Sequence, residues 1–253
     1  MTVTAPLEER RRQKSIKWET EVIEIIEESP DVKTFRFDKP NDWTFIPGQY
    51  LMVFFPEIFA GKNRAYSIAS SPNSDHIDLT IKLYGVFTHH MWTLREGSSW
   101  TLRGPYGHFK MDPNATNDIL LLGAGVGVTP LMSMARYLTE EKSDRRILLL
   151  YSNKKPKDII FHKELDMMQR MNPNFKVVYT LTRLKDQLKD SWPGLTGRID
   201  TEMIKSQLAE WHNPNAEQPI SYSCGPVPML NTVEQCLTEL GWPKENIKYE
   251  KFW

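Results

Sequence analysis

Leu120-Leu121-Leu122-Gly123-Ala124-Gly125-Val126-Gly127-Val128-Thr129-Pro130 reads as a buried strand, a tight turn and the start of a helix. The glycines let backbone N–H groups approach an anion, Thr129 is placed to cap the helix, and Pro130 suits its first turn. A pyrophosphate at that helix N-terminus is the physical expectation, with Gly123, Gly125, Val126, Gly127, Thr129 and Pro130 around it. Val128 occupies the third glycine position of Gly-x-Gly-x-x-Gly, so the run departs from the usual dinucleotide fingerprint.

Downstream of this run, apolar strand patterns alternate with helical ones. Ile119 to Leu122, Ile147 to Tyr151, Lys176 to Leu181, Ile220 to Ser223 and Ile247 to Phe252 read as strands. Pro130 to Glu141, Asp158 to Arg170, Thr201 to Trp211 and Pro226 to Leu240 read as helices. Continuous apolar strands separated by helices predict a parallel sheet covered on both faces, hence an α/β domain over 118–253. Upstream, residues 17–112 alternate apolar and polar between frequent turns such as Lys39-Pro40-Asn41-Asp42, Pro47-Gly48 and Ser71-Pro72-Asn73. Short strands with dense turns predict a small antiparallel β barrel. Residues 1–16, with Glu8-Glu9-Arg10-Arg11-Arg12, read as a flexible, solvated extension.

Length supports two such domains, since 253 residues are enough to bury two cores. Lys plus Arg and Asp plus Glu each number 32, so the bulk charge carries no nucleic-acid footprint. No apolar stretch reaches the roughly 18 residues of a membrane span, and no apolar segment follows the charged start, which predicts a cytoplasmic protein. Two cysteines, Cys224 and Cys236, cannot hold an iron–sulfur cluster or a four-cysteine zinc site. Single electrons, if they are passed on, go to a metal held by a partner.

Arg64-Ala65-Tyr66-Ser67 offers a cation for a pyrophosphate, a ring that can stack on a flat heterocycle, and a hydroxyl for a ring nitrogen. On its own the tetrapeptide reads better as a surface Arg beside a barrel tyrosine. Cys224-Gly225-Pro226, at the end of a strand, adds a soft side chain, although a lone cysteine is more often simply packing.

In this order the motifs resemble the ferredoxin-NADP reductase superfamily from about residue 17 to the end. The resemblance rests on Pro47-Gly48-Gln49-Tyr50, Arg64-x-Tyr66-Ser67, Gly104-Pro105-Tyr106-Gly107-His108-Phe109, Gly123 to Pro130, Cys224-Gly225-Pro226 with Met229, and Glu250-x-Phe252. It implies a Greek-key-like FAD-binding barrel followed by an NAD(P)-binding α/β domain, with the nicotinamide delivered to the flavin between them. Carried onto this chain, Arg64 would hold the FAD pyrophosphate, Tyr66 would stack on the isoalloxazine, and Ser67 would lie near its N5. The loop Tyr84-Gly85-Val86-Phe87-Thr88 looks like the second pyrophosphate contact, with one glycine where the family usually has two and Thr88 for its serine, and Lys82 is a further cofactor-binding candidate. The resemblance places Cys224 near the nicotinamide C4 and gives Glu250 a part in proton and hydride traffic. Either Phe252 or Trp253 would cover the flavin face.

The coenzyme reading turns on two strand ends. A carboxylate that would bind ribose hydroxyls is missing from Tyr151-Ser152-Asn153-Lys154-Lys155, and Thr182-Arg183 stands where NADH-using relatives often carry an acid. These residues favour NADPH, with NAD possible, and disfavour a methyltransferase. The expected activity is hydride transfer from NAD(P)H to FAD and then electron transfer to a small redox protein such as ferredoxin or flavodoxin. A diaphorase acting on a small acceptor and a non-enzymatic nucleotide-binding module are the competing readings.

Overall fold

The computed structural model describes residues 14–185, 191–212 and 217–252. The extension before Lys14 and the terminal Trp253 lie outside the described residues. Strand β1 (Ile16–Ser29) begins at Ile16, so the predicted extension is one residue too long at its inner end. This strand serves two neighbours in turn. Its first half pairs with β6 (Ser99–Tyr106) and its second half with β2 (Val32–Asp38), with register shifts at Val22/Glu24 and Glu27/Ser29. Such irregularities bend a strand and let a short sheet curl.

With β3 (Tyr50–Phe54), β4 (Asn63–Ser67) and β5 (His76–Lys82), the antiparallel order is β4-β3-β6-β1-β2-β5. An antiparallel bridge from Ile68 to Leu79 joins the two outer strands and closes the barrel. Trp100 fills its centre, with its ring 4.9, 5.1 and 5.0 Å from the rings of Phe35, Phe37 and Phe55. Burying each such side chain contributes about 1.5–3 kcal/mol, which is why the alternating pattern of these strands decides which face turns inward.

Helix α1 (Gly85–Thr93) caps the barrel. The segment Tyr84 to Thr88, read from sequence as a loop, is instead the start of this helix, because Phe87 and Met91, one helical turn apart, both bury into the barrel core.

The second sheet is wholly parallel, built from β7 (Ile119–Ala124), β8 (Ile147–Asn153), β9 (Phe175–Leu181), β10 (Leu195–Thr196), β11 (Ile220–Pro226) and β12 (Ile247–Phe252). Its order is β10-β9-β8-β7-β11-β12. The chain therefore builds outward from β7 to one edge, then crosses back to lay β11 on the other side. A crevice opens at such a reversal, beyond the carboxyl ends of β7 and β11. Helices α2 (Val128–Glu140), α3 (His162–Met171), α4 (Thr201–Trp211) and α5 (Val227–Glu239) cover the faces. The predicted helix from Asp158 starts four residues late: Pro156–Asp158 is a 3-10 turn, and Phe161, at φ 57°, breaks the helical path before His162.

The barrel sits firmly on this sheet. Val32, Ala69, Phe109 and Met111 from the first half are buried in one core with side chains of β7, β8, α2 and α3. From α2, the Ser133 hydroxyl donates to the Ser70 carbonyl at 2.7 Å and the Arg136 guanidinium to the Ala69 carbonyl at 2.8 Å. Buried Arg145 holds the connecting segment at both ends, donating to the Asp112 and Asn117 carbonyls at 3.3 and 2.7 Å.

Candidate active site

The glycine run lies where the sheet reverses. Gly125 adopts φ +53°, which an L side chain resists, and a Cβ on Gly127 would lie 2.3 Å from the Cys224 carbonyl oxygen. The turn is thus pressed against the end of β11, and Gly225 and Met229 complete the same wall. Thr129 does not cap α2. It is buried inside the first turn and donates to the Val126 carbonyl at 2.6 Å, while Gly127 occupies the cap position, so the backbone N–H groups of the turn stay available for an anion. Pro130 is buried in that first turn as expected.

A cleft of about 860 Å³ runs from this turn across the carboxyl ends of β8 and β9. Gly125, Val126, Gly127, Thr182, Arg183, Gly225, Pro226, Met229 and Phe252 all border it, and the barrel closes its far side with Asp31, Val32 and Lys82. Lys82 is ion-paired with Asp31 across that rim. Thr182 donates its hydroxyl to the Asn153 carbonyl at 3.2 Å, so Arg183 is the more available of the two. Sequence reasoning missed Lys157 and Arg198, which stand on the wall with Lys154, Lys155 and Arg183, and none of the five makes an ion pair among the described residues. Lys157 and Arg198 lie outside any motif, and only the folded chain brings them to the mouth.

On the barrel, β4 presents Arg64 and Ala65 outward, half-buries Tyr66 and buries Ser67. Burial pushes the Tyr66 hydroxyl's pKa up, against the opposing pull of the Arg64 cation. The Arg64 guanidinium lies 5.6 Å above the Phe87 ring, which sets it beside the N-terminus of α1. Gly85 takes φ +78° there, and Tyr84 and Val86 are exposed at 82% and 75%. Phe87 and Thr88 do not face outward. Phe87 packs in the barrel, and the Thr88 hydroxyl accepts from the Tyr84 N–H at 2.7 Å and donates to the Gly85 carbonyl, so neither of these two side chains is offered to a ligand.

Three side chains from three strands meet between the sheets. Cys224 on β11 pairs in register with Glu250 on β12, and the Ser67 hydroxyl from β4 lies near enough to the Glu250 carboxyl to pull its pKa down. Burial raises the Glu250 pKa to about 7, against the lowering effect of Ser67. Burial first and the Glu250 charge second push the Cys224 thiol well above its ordinary range, so it is a neutral thiol at physiological pH. Glu250 Oε2 is buried with no hydrogen-bond partner. An orphaned acceptor at the meeting point, a turn with no room for a Cβ and a cleft of this size fit a flavin and a dinucleotide. Among the described residues no cluster suits a metal ion, and no helix is long and apolar enough to cross a membrane.

A closed antiparallel barrel seated on a parallel sheet, with a phosphate-binding turn at the reversal and a polar trio between the two, defines a flavin- and nicotinamide-dependent oxidoreductase. The family model for an oxidoreductase FAD-binding domain matches residues 19–111, and that for an oxidoreductase NAD-binding domain matches 121–235. The chain belongs to the ferredoxin-NADP reductase superfamily.

It is 30% identical over 236 residues to the glycine betaine monooxygenase reductase subunit of Chromohalobacter salexigens, covering 91% of this chain and 62% of that protein. It is likewise 30% identical to NADH-cytochrome b5 reductase 2 of Saccharomyces cerevisiae, over 85% of this chain and 72% of that one. The solved ferredoxin reductase of carbazole 1,9a-dioxygenase superposes with a TM-score of 0.78 at 27% identity, over 94% of this chain and 70% of that one. The chain spans about three-fifths of the length of the first of these relatives.

Proposed function

We propose that this protein takes a hydride from NADPH onto FAD and passes the electrons to a small redox protein of the ferredoxin, flavodoxin or cytochrome b5 class. The observation that carries this reading is the convergence of Ser67, Cys224 and Glu250 from the two sheets at the reversal crevice. Bound FAD supplies the hydride acceptor and the means of releasing electrons one at a time.

The chain's own residues bind, orient and exclude water. Arg64 and the N-terminus of α1 hold the flavin's pyrophosphate, and Tyr66 covers its ring. The turn Gly123 to Gly127 would take the coenzyme pyrophosphate, and buried Cys224, whose carbonyl presses against Gly127, would help keep water from the nicotinamide. Glu250, poised near neutrality, holds or releases a proton beside Ser67. Monooxygenase and cytochrome b5 reductases among the relatives support a protein acceptor.

The preference for NADPH follows from the cleft's charge. Lys154, Lys155, Lys157, Arg183 and Arg198 line it against two carboxylates, Asp31 and Asp158, and Asp31 is already paired with Lys82. A 2'-phosphate is attracted there, and no acid closes the strand end against it. The purified protein is expected to be yellow and to bleach anaerobically with NADPH. Its kcat/KM for NADPH should exceed that for NADH, and Arg183→Ala or Arg198→Ala should each narrow the gap about tenfold, the value of one charge-assisted contact. A preference for NADH in the unaltered protein defeats the coenzyme assignment.

A further inference from the structure

Helix α2 starts at the glycine turn and reaches the barrel one to two turns later. At its start Gly127 is pressed against the Cys224 carbonyl, and Val128 and Leu131 are buried in one core with the Cys224 side chain. Further along, three side chains in close succession meet the barrel. The wholly buried Ser133 hydroxyl donates to the Ser70 carbonyl at 2.7 Å, and the Arg136 guanidinium donates to the Ala69 carbonyl at 2.8 Å. Met134 Cε stands 2.8 Å from the place of a Cβ on Gly48, so only a residue without a side chain lets the helix come this near.

Both contact points lead to Ser67 within a few residues. Ala69 and Ser70 follow it directly along the chain. Gly48 precedes β3, where Tyr50 pairs in register with Ser67, and the Ile68 N–H donates to the Gln49 carbonyl at 3.0 Å. The barrel holds the same segment from its other side. The Ala69 N–H donates to the Asp78 carbonyl at 2.9 Å, and the Asp78 N–H donates to the Ser70 hydroxyl at 3.1 Å. Arg136 is fixed in turn by a bidentate pair with Glu164 of α3, at 2.7 Å to each oxygen, and lies 3.6 Å from the buried Asp78 carboxylate. A planar guanidinium held by three groups in this way keeps one geometry.

We propose that α2 is a spacer that fixes the gap between the flavin side of the site, at Ser67, and the nicotinamide side, at Cys224, with Ser133 and Arg136 as its positioning residues. One rigid element contacts the Cys224 carbonyl at its start and the residues after Ser67 further on, so the two sides cannot drift apart while the helix is intact. Neither positioning residue touches the reacting atoms. They act on the transfer step and not on the affinity for either cofactor, because a displacement of about 1 Å at the reacting atoms costs up to about 100-fold in rate. The inference rests on the reading that FAD and the coenzyme meet between Ser67 and Cys224.

The test uses Ser133→Ala, which removes one hydroxyl, and Arg136→Lys, which keeps the charge and loses the fork. Hydrogen–deuterium exchange on the coenzyme-free protein reads the clamp itself. The amides of Ile68 to Ser71 are expected to exchange about 3- to 10-fold faster in both variants, the worth of one buried hydrogen bond. Anaerobic stopped-flow reduction of the FAD-loaded protein, with NADPH or NADH carrying hydrogen or deuterium at C4, reads the consequence. The limiting rate should fall about 3- to 30-fold with the coenzyme Kd held within about twofold. The flavin midpoint potential should stay unchanged, and the primary isotope effect should rise as the gap widens.

Residues that served stability alone would lower the melting temperature and leave the limiting rate and the isotope effect where they are. That outcome in both variants overturns the spacer. So does unchanged exchange at Ile68 to Ser71, or a loss of rate carried by Kd alone. If neither coenzyme reduces the unaltered protein, the functional reading itself fails. If the unaltered protein is reduced and both variants keep its limiting rate, the spacer alone is wrong.

Discussion

Replacing Glu250 by Gln removes a buried proton site and keeps its shape. The carboxyl's pKa stands at about 7 against an ordinary 4.5, with burial as the cause. A carboxyl raised in the folded state binds more protons folded than unfolded between these values. Stability is therefore full below about pH 4.5 and is lost as pH rises through 7. At about 1.4 kcal/mol per pH unit the loss has a ceiling of roughly 3 kcal/mol. Because Glu250 is only half-buried, solvent screening reduces this to about 1–2 kcal/mol.

The variant stays neutral throughout, so it avoids the loss. Its melting temperature should match that of the unaltered protein at pH 5 and exceed it by about 2–8 °C at pH 8, for a chain of this size. The pH–rate profile of hydride transfer should at the same time lose its inflection near pH 7. Thermal melts of the FAD-loaded proteins at the two pH values, read by flavin fluorescence, make the comparison. An offset that is the same at both, or a variant less stable at pH 8, refutes the burial argument.

Cys224, neutral and wholly buried, should resist thiol reagents in the folded protein, and Cys224→Ala should slow hydride transfer about tenfold while retaining flavin; an unchanged rate reduces Cys224 to packing. Arg145→Ala takes away two hydrogen bonds to the Asp112 and Asn117 carbonyls and should cost about 2–4 kcal/mol in denaturant unfolding, with coenzyme preference untouched.

The parallel half was legible because its strands are unbroken apolar runs and its turns are marked by glycine and proline. The sheet reversal follows from that alternation, and with it the place of the Gly123 turn and Cys224. Helix α1 was not legible. Gly85 to Thr93 has a weak apolar pattern, and it is the open end of the barrel that draws Phe87 and Met91 inward. The late start of α3 was hidden for a related reason, since the carboxylate that bends the chain at Phe161 lies on a strand 133 residues earlier. Lys157 and Arg198 carry no signature of their own, and Thr129 looked like a cap until Gly127, pressed against the Cys224 carbonyl, took that position. Local chemistry told which residues would turn or stack, while distance in sequence concealed what holds them.

The core that buries Val32, Ala69, Phe109 and Met111 among side chains of the parallel sheet bears on how such reductases can be rebuilt. An exchange that grafts this barrel onto another nucleotide-binding half must carry a matching socket for those four side chains, or leave them facing water. The halves are thus not interchangeable cassettes. The seam between them is inherited as a unit, and recombination is better placed in the exposed turns of either half than at the junction itself.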